Sequence, residues 1–73
     1  PQPACTAIRA AVEAVGDTTV TDLHYWSVAP GKYSLTLVVD TRGAHSPDEF
    51  RRQLPDALGI VHATIEVRQV REP

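Results

Sequence analysis

The sequence predicts a two-layer α+β sandwich of helix–strand–strand–helix–strand order, a three-stranded sheet with two helices on one face. Three observations predict it. Ala4 to Val15 carries its apolar side chains at helical spacing. Two runs rich in β-branched and aromatic residues meet across Pro30-Gly31, as a hairpin does. A third alternating run follows after about twenty residues that include a helix start, which is room enough for a helical crossover.

Each element has its own warrant. In the first helix Ile8, Ala11, Val12 and Val15 form the apolar stripe, and Gly16 suits the left-handed residue that closes a helix. Arg9 and Glu13, four apart, read as an ion pair on its wet side. Asp17-Thr18-Thr19 connects to a strand over Val20 to Val28, and Tyr33 to Val39 is the second strand. Thr41 to His45 is a loop. Ser46-Pro47-Asp48-Glu49 then starts a helix, with Ser at the N-cap, Pro at the first turn and Glu closing a capping box. Phe50, Leu54 and Leu58 continue it at spacings of four, and Pro55 forces a break near Leu54. Gly59 ends the segment, and Ile60 to Val70 is the third strand.

Length and charge exclude several classes. Seventy-three residues make one domain, assigned to 4–70 with residues 1–3 and 71–73 as frayed termini. A chain this short buries only about 60% of its unfolded surface, so a partner surface would add to its stability. Net charge is −2, which speaks against a nucleic-acid partner, since that would need a basic stripe. The single Cys5 excludes an internal disulfide or a paired-cysteine metal site. No apolar run approaches the roughly 20 residues of a membrane span, so no direct membrane insertion is expected. The chain opens at Pro1 without an initiator Met, and we expect it to be a piece of something longer.

Alternation along the strands separates a covered face from an open one. Leu23 and Tyr25 in the first strand, Tyr33, Leu35, Leu37 and Val39 in the second, and Val61, Ala63, Ile65 and Val67 in the third form the natural helix-covered set. The open face then carries Asp22, His24, Trp26, Thr36, Val38, His62, Thr64 and Glu66. A Trp among histidines and carboxylates on an uncovered sheet marks a partner surface. Trp26, His24, Thr36, Val38 and Thr64 are its candidate dimer-interface residues, with Trp26 as anchor. A two-fold axis there would present every ligand type twice.

His24, His62, Asp22 and Glu66 are the candidate metal ligands, since imidazole and carboxylate suit zinc, cobalt or nickel. Against this stands the plainer reading that His24 and His62 are interface or surface histidines hydrogen-bonded to the backbone. His45 reads as a solvated loop residue, Cys5 as a small partly buried one, and Arg51-Arg52 as a solvated helix face. Catalysis finds little support: no nucleophile is fixed beside a base, and no phosphate-binding glycine motif occurs.

Asp22-Leu23-His24-Tyr25-Trp26, then Pro30-Gly31-Lys32-Tyr33 leading into an apolar strand, then His62-Ala63-Thr64-Ile65-Glu66-Val67, resembles the carboxy-terminal cytoplasmic domain of cation diffusion facilitator transporters, or a stand-alone homologue of it. The resemblance runs over Ile8 to Arg68. It implies a metallochaperone-like, ferredoxin-like fold and a cytoplasmic homodimer lying beneath the transporter's membrane domain. It also implies a divalent metal near the dimer interface that draws the copies together and promotes cation efflux. His24 matches the His of the family's D-L-H-x-W segment and His62 that of its H-x-T-I segment. The chain departs from the pattern at Thr21, at Leu37 or Val38, and at Glu66, where family members often carry histidines.

The expectation is therefore a non-enzymatic, dimerising, divalent-metal-sensing domain on the cytoplasmic side of the cell membrane, with zinc, cobalt or nickel as the metal. Its rival is a purely structural dimerisation module that binds no metal. A small-molecule-binding or hydrolytic domain fits less well, because the loops at 29–32 and 41–45 offer only Lys32 and Arg42 to an anion.

Overall fold

A computed structural model of the protein describes residues 2–71. Helix α1 spans Gln2–Glu13, strand β1 Thr18–Ala29, strand β2 Lys32–Thr41, helix α2 Pro47–Arg52 and strand β3 Ile60–Gln69, with a single 3₁₀ turn at Asp56–Leu58 before β3. β2 lies in the middle of the sheet, antiparallel to β1 and parallel to β3. Both helices pack on one face of this mixed sheet. Ile8 and Val12 of α1 and Phe50 of α2 are buried in one cluster with Val20, Leu35, Leu37 and Val39.

The helix-start signal is realised in full. Ser46 accepts a hydrogen bond from the Glu49 amide at 3.3 Å, and Glu49 Oε1 accepts one from the Ser46 amide at 3.1 Å. Pro55 stops α2 as expected, and the chain resumes as the 3₁₀ turn. Gly59 follows in the left-handed conformation at φ 66°. The Tyr25 hydroxyl donates to the Leu58 carbonyl at 2.6 Å, and its ring stacks on Tyr33 at 4.5 Å. Burial, then the neighbouring Tyr33 and Cys5, push the Tyr25 phenol above its ordinary range.

Several expectations are corrected. Gln2 and Pro3 belong to α1 and not to a frayed end. Pro1, Glu72 and Pro73, also expected to fray, lie outside the described residues. α1 ends at Glu13, and a tighter turn carries the chain to Gly16 at φ 103°. Arg9 and Glu13 do more than pair with each other at 3.8 Å. Arg9 donates to the Val20 carbonyl at 3.0 Å, and Glu13 accepts from the Val20 amide at 2.9 Å. They occupy both peptide groups of a strand residue. A bulge at Thr21 accompanies this grip. It explains how Val20 and Leu23, three apart, both turn towards the helices, because the extra residue restores the alternation.

Val61 is not on the covered face. A register shift pairs Ile60 with Tyr33 and His62 with Ser34, which skips Val61 and leaves it 59% exposed. Ile60 packs against the core in its place. His45 is not a solvated loop residue either: it is half-buried, its Nδ1 lies 3.0 Å from Glu49 Oε2, and its ring meets Phe50 edge-on. Arg51 is also engaged, with Asp48 at 2.6 Å and with the Ala63 carbonyl at 3.1 Å.

Candidate functional site

The register of the three strands sets out the open face in rows. Trp26, Ser34 and His62 form one row; His24, Thr36 and Thr64 the next; Asp22, Val38 and Glu66 the third; Thr19, Asp40 and Arg68 the fourth. Neither helix contributes to this face, whose residues stand outside the core cluster. Trp26 is 46% exposed, while Ser34 beside it on the central strand is only 7% exposed. Thr36 and Val38 are half-buried by their position on the central strand, and Thr64 on the edge is exposed.

Asp22 and His24 stand two apart on β1, so both project from the same face. Their side chains meet, His24 Nε2 lying 3.2 Å from Asp22 Oδ1, and both are exposed. His62 and Glu66 stand on β3, across the central strand. Strands are spaced about 4.8 Å apart, so the β1 and β3 backbones stand roughly 10 Å apart with the central strand's side chains between them. Among the described residues no three His, Cys, Asp or Glu side chains are gathered into a metal-holding group. The fold thus brings Asp22 and His24 together and leaves His62 and Glu66 apart from them.

A second imidazole–carboxylate pair, His45 with Glu49, is already committed to structure. Glu49 serves the capping box with one oxygen and His45 with the other. The hydrogen bond from His45, then that from the Ser46 amide, holds the Glu49 carboxyl below the usual glutamate range. Among the described residues the Asp22–His24 pair caps no helix, and both of its side chains are exposed.

Sequence reasoning missed the fourth row. Asp40 Oδ1 is shut off from solvent and takes no aligned hydrogen bond; the Arg68 guanidinium at 2.9 Å supplies its compensating charge. The signal was present, since Asp40 and Arg68 follow the open-face alternation of their strands, but it needed the parallel register to bring them side by side. No helix among the described residues is long and apolar enough to cross a membrane.

No family model matches the chain, and no curated protein matches it.

Proposed function

We propose that this chain is a dimerising, divalent-metal-sensing domain of the cation diffusion facilitator type, with a metallochaperone-like, ferredoxin-like fold and without enzymatic activity. Two copies meet through the open sheet face, and metal bound between them favours one arrangement of the pair. In a transporter, that arrangement is the signal to the membrane domain on the cytoplasmic side. The observation that carries the reading is the exposed Asp22–His24 pair, 3.2 Å apart on the face that also bears Trp26. One copy offers two donors in reach of each other, and zinc takes four. A two-fold axis beside His24 supplies the other two, so the site is complete only in the dimer.

His62 and Glu66 serve the neighbouring surface in this arrangement and do not bind the same ion. Metal shifts the pair only by binding one arrangement more tightly than the other. Binding weakens in acid, because protons compete with the metal for imidazole and carboxylate.

Calorimetry with zinc, cobalt and nickel tests the reading. The wild type should take up about one ion per two chains, consistent with a four-donor site shared between copies. His24→Ala and Asp22→Asn should each abolish the heat, whereas His62→Ala should leave the stoichiometry unchanged. A wild type that dimerises but gives no heat with any of the three metals would be the structural dimerisation module instead. That second reading is favoured by the exposed Trp26, which can anchor a contact between copies without any ion.

A further inference from the structure

The sheet has two edges, and they are guarded unequally. On β1 the Arg9 and Glu13 side chains occupy the Val20 carbonyl and amide, and register shifts at Thr21 and Val28 interrupt the strand. On β3 the register runs unbroken from His62 to Gln69. The Val70 amide turns inward to the Thr41 carbonyl, whereas the Ala63 carbonyl turns outward and is taken by Arg51. Alternation along a strand then turns the peptide groups of Ile65, Val67 and Gln69 outward, where among the described residues β3 has no neighbouring strand.

We infer that the β3 edge pairs with the β3 edge of a second copy, antiparallel about a two-fold axis at Val67, joining two sheets into one of six strands. Charge selects the copy and the register. Glu66 and Arg68 stand two apart on the open face, with opposite signs. An axis at Glu66 would set two carboxylates against each other, and an axis at Arg68 two guanidinium groups; like charges directly opposite are unfavourable. An axis at Ile65 would bring Val67 against Ala63, whose carbonyl Arg51 already holds. The axis at Val67 sets Glu66 of each copy opposite Arg68 of the other. It also extends the Asp40–Arg68 contact at 2.9 Å into an alternating acid–base–acid row across the junction.

Charged residues ordinarily keep edge strands from pairing. Here their alternation makes the edge complementary to itself in one register and repulsive in the two beside it. The contact does not use Trp26, His24 or Asp22, so it stands independently of the face contact proposed above.

Sedimentation equilibrium on Trp26→Ala, in which the face contact is weakened, isolates the edge. A pairing this short is weak, so chain concentrations run to about 1 mM. Trp26→Ala should still self-associate. Adding Glu66→Lys should weaken that association about tenfold, because both cross-strand pairs become cation against cation. Adding Arg68→Glu instead, together with Asp40→Asn so that no carboxylate within the chain is set against the new one, should do the same with carboxylates. Mixing the two variants should restore association, since each then faces the opposite charge, and the mixed species should be a heterodimer. Circular dichroism confirms that each variant is folded. A monomeric Trp26→Ala chain, or two variants that associate no better mixed than alone, would overturn the inference. If Trp26→Ala matches the wild type in mass while the charge pattern behaves as described, the edge stands and the face contact is the one that fails.

Discussion

At the scale of single residues the chain is most informative where one side chain has two duties. Glu49 ties down the start of α2 with one oxygen and the His45 ring with the other, and these contacts hold its carboxyl below the value of 4.5 expected of an unperturbed glutamate. The sign of the consequence follows from linkage. The unfolded chain binds this proton more readily than the folded one, so the stabilisation is fully present above pH 4.5 and is lost as pH falls through the lower folded value. Urea unfolding at pH 7 and again near the acid end should therefore show wild type losing stability relative to Glu49→Gln as the solution is acidified. A constant difference between the two would show that the carboxylate's charge contributes nothing. Gly43 frames the same group: a methyl there would lie 2.4 Å from His45 Nε2, so Gly43→Ala must shift the His45 ring. The capping box is legible in its four residues, whereas His45 reads from sequence as a solvated loop residue. An edge-on contact with a residue five positions later is not marked by any local pattern.

At the scale of elements, the turn into β3 is held by backbone meeting backbone. Gly59 sits at φ 66°, its carbonyl accepts the Tyr33 amide at 2.9 Å, and a Cβ added to it would lie 2.4 Å from the Gly31 carbonyl oxygen. Neither glycine's main chain can retreat without disturbing the hairpin or the 3₁₀ turn. Gly59→Ala should cost about 2–4 kcal/mol, from the left-handed backbone and the overpacking together, measured by urea denaturation. A cost below 1 kcal/mol would mean the two turns are not in such close contact. Strand faces were legible because side chains alternate with a period of two: Leu35, Leu37 and Val39 inward, Asp22, His24 and Trp26 outward. The bulges were not legible. The one at Thr21 accompanies the grip of Arg9 and Glu13 on Val20, a contact between residues seven and eleven apart in sequence. The one at Val61 reversed a single side chain, so Ile60 took the inward place assigned to its neighbour. For the candidate site, alternation told which face each candidate residue occupies. It did not tell how far apart they stand, because that depends on β2 lying between β1 and β3.

At the scale of the whole molecule, the two layers make opposite demands on their aromatic residues. Phe50 of α2 is fully buried between helices and sheet, one of seven buried apolar side chains among the described residues, while Trp26 on the other side of the sheet is 46% exposed. A domain of 73 residues has a net stability of about 4–11 kcal/mol, so one large core cavity removes a substantial part of it. Phe50→Ala should cost about 3–5 kcal/mol and leave the chain close to its unfolding threshold at room temperature. Trp26→Ala should cost the monomer under about 1 kcal/mol, because the ring keeps much of its surface in water when folded. The loss should appear instead in association, since a large aromatic at the centre of an interface carries a disproportionate share of binding energy. Urea denaturation at micromolar chain measures the first quantity, and sedimentation of the same two variants over a range of concentrations measures the second. If Trp26→Ala destabilises the dilute monomer as much as Phe50→Ala, the Trp side of the sheet is a second core and not a docking face. A Trp26→Ala chain that is stable alone yet self-associates more weakly than wild type places the ring at the contact between copies, which is the role that leaves one whole face of this sheet without a helix.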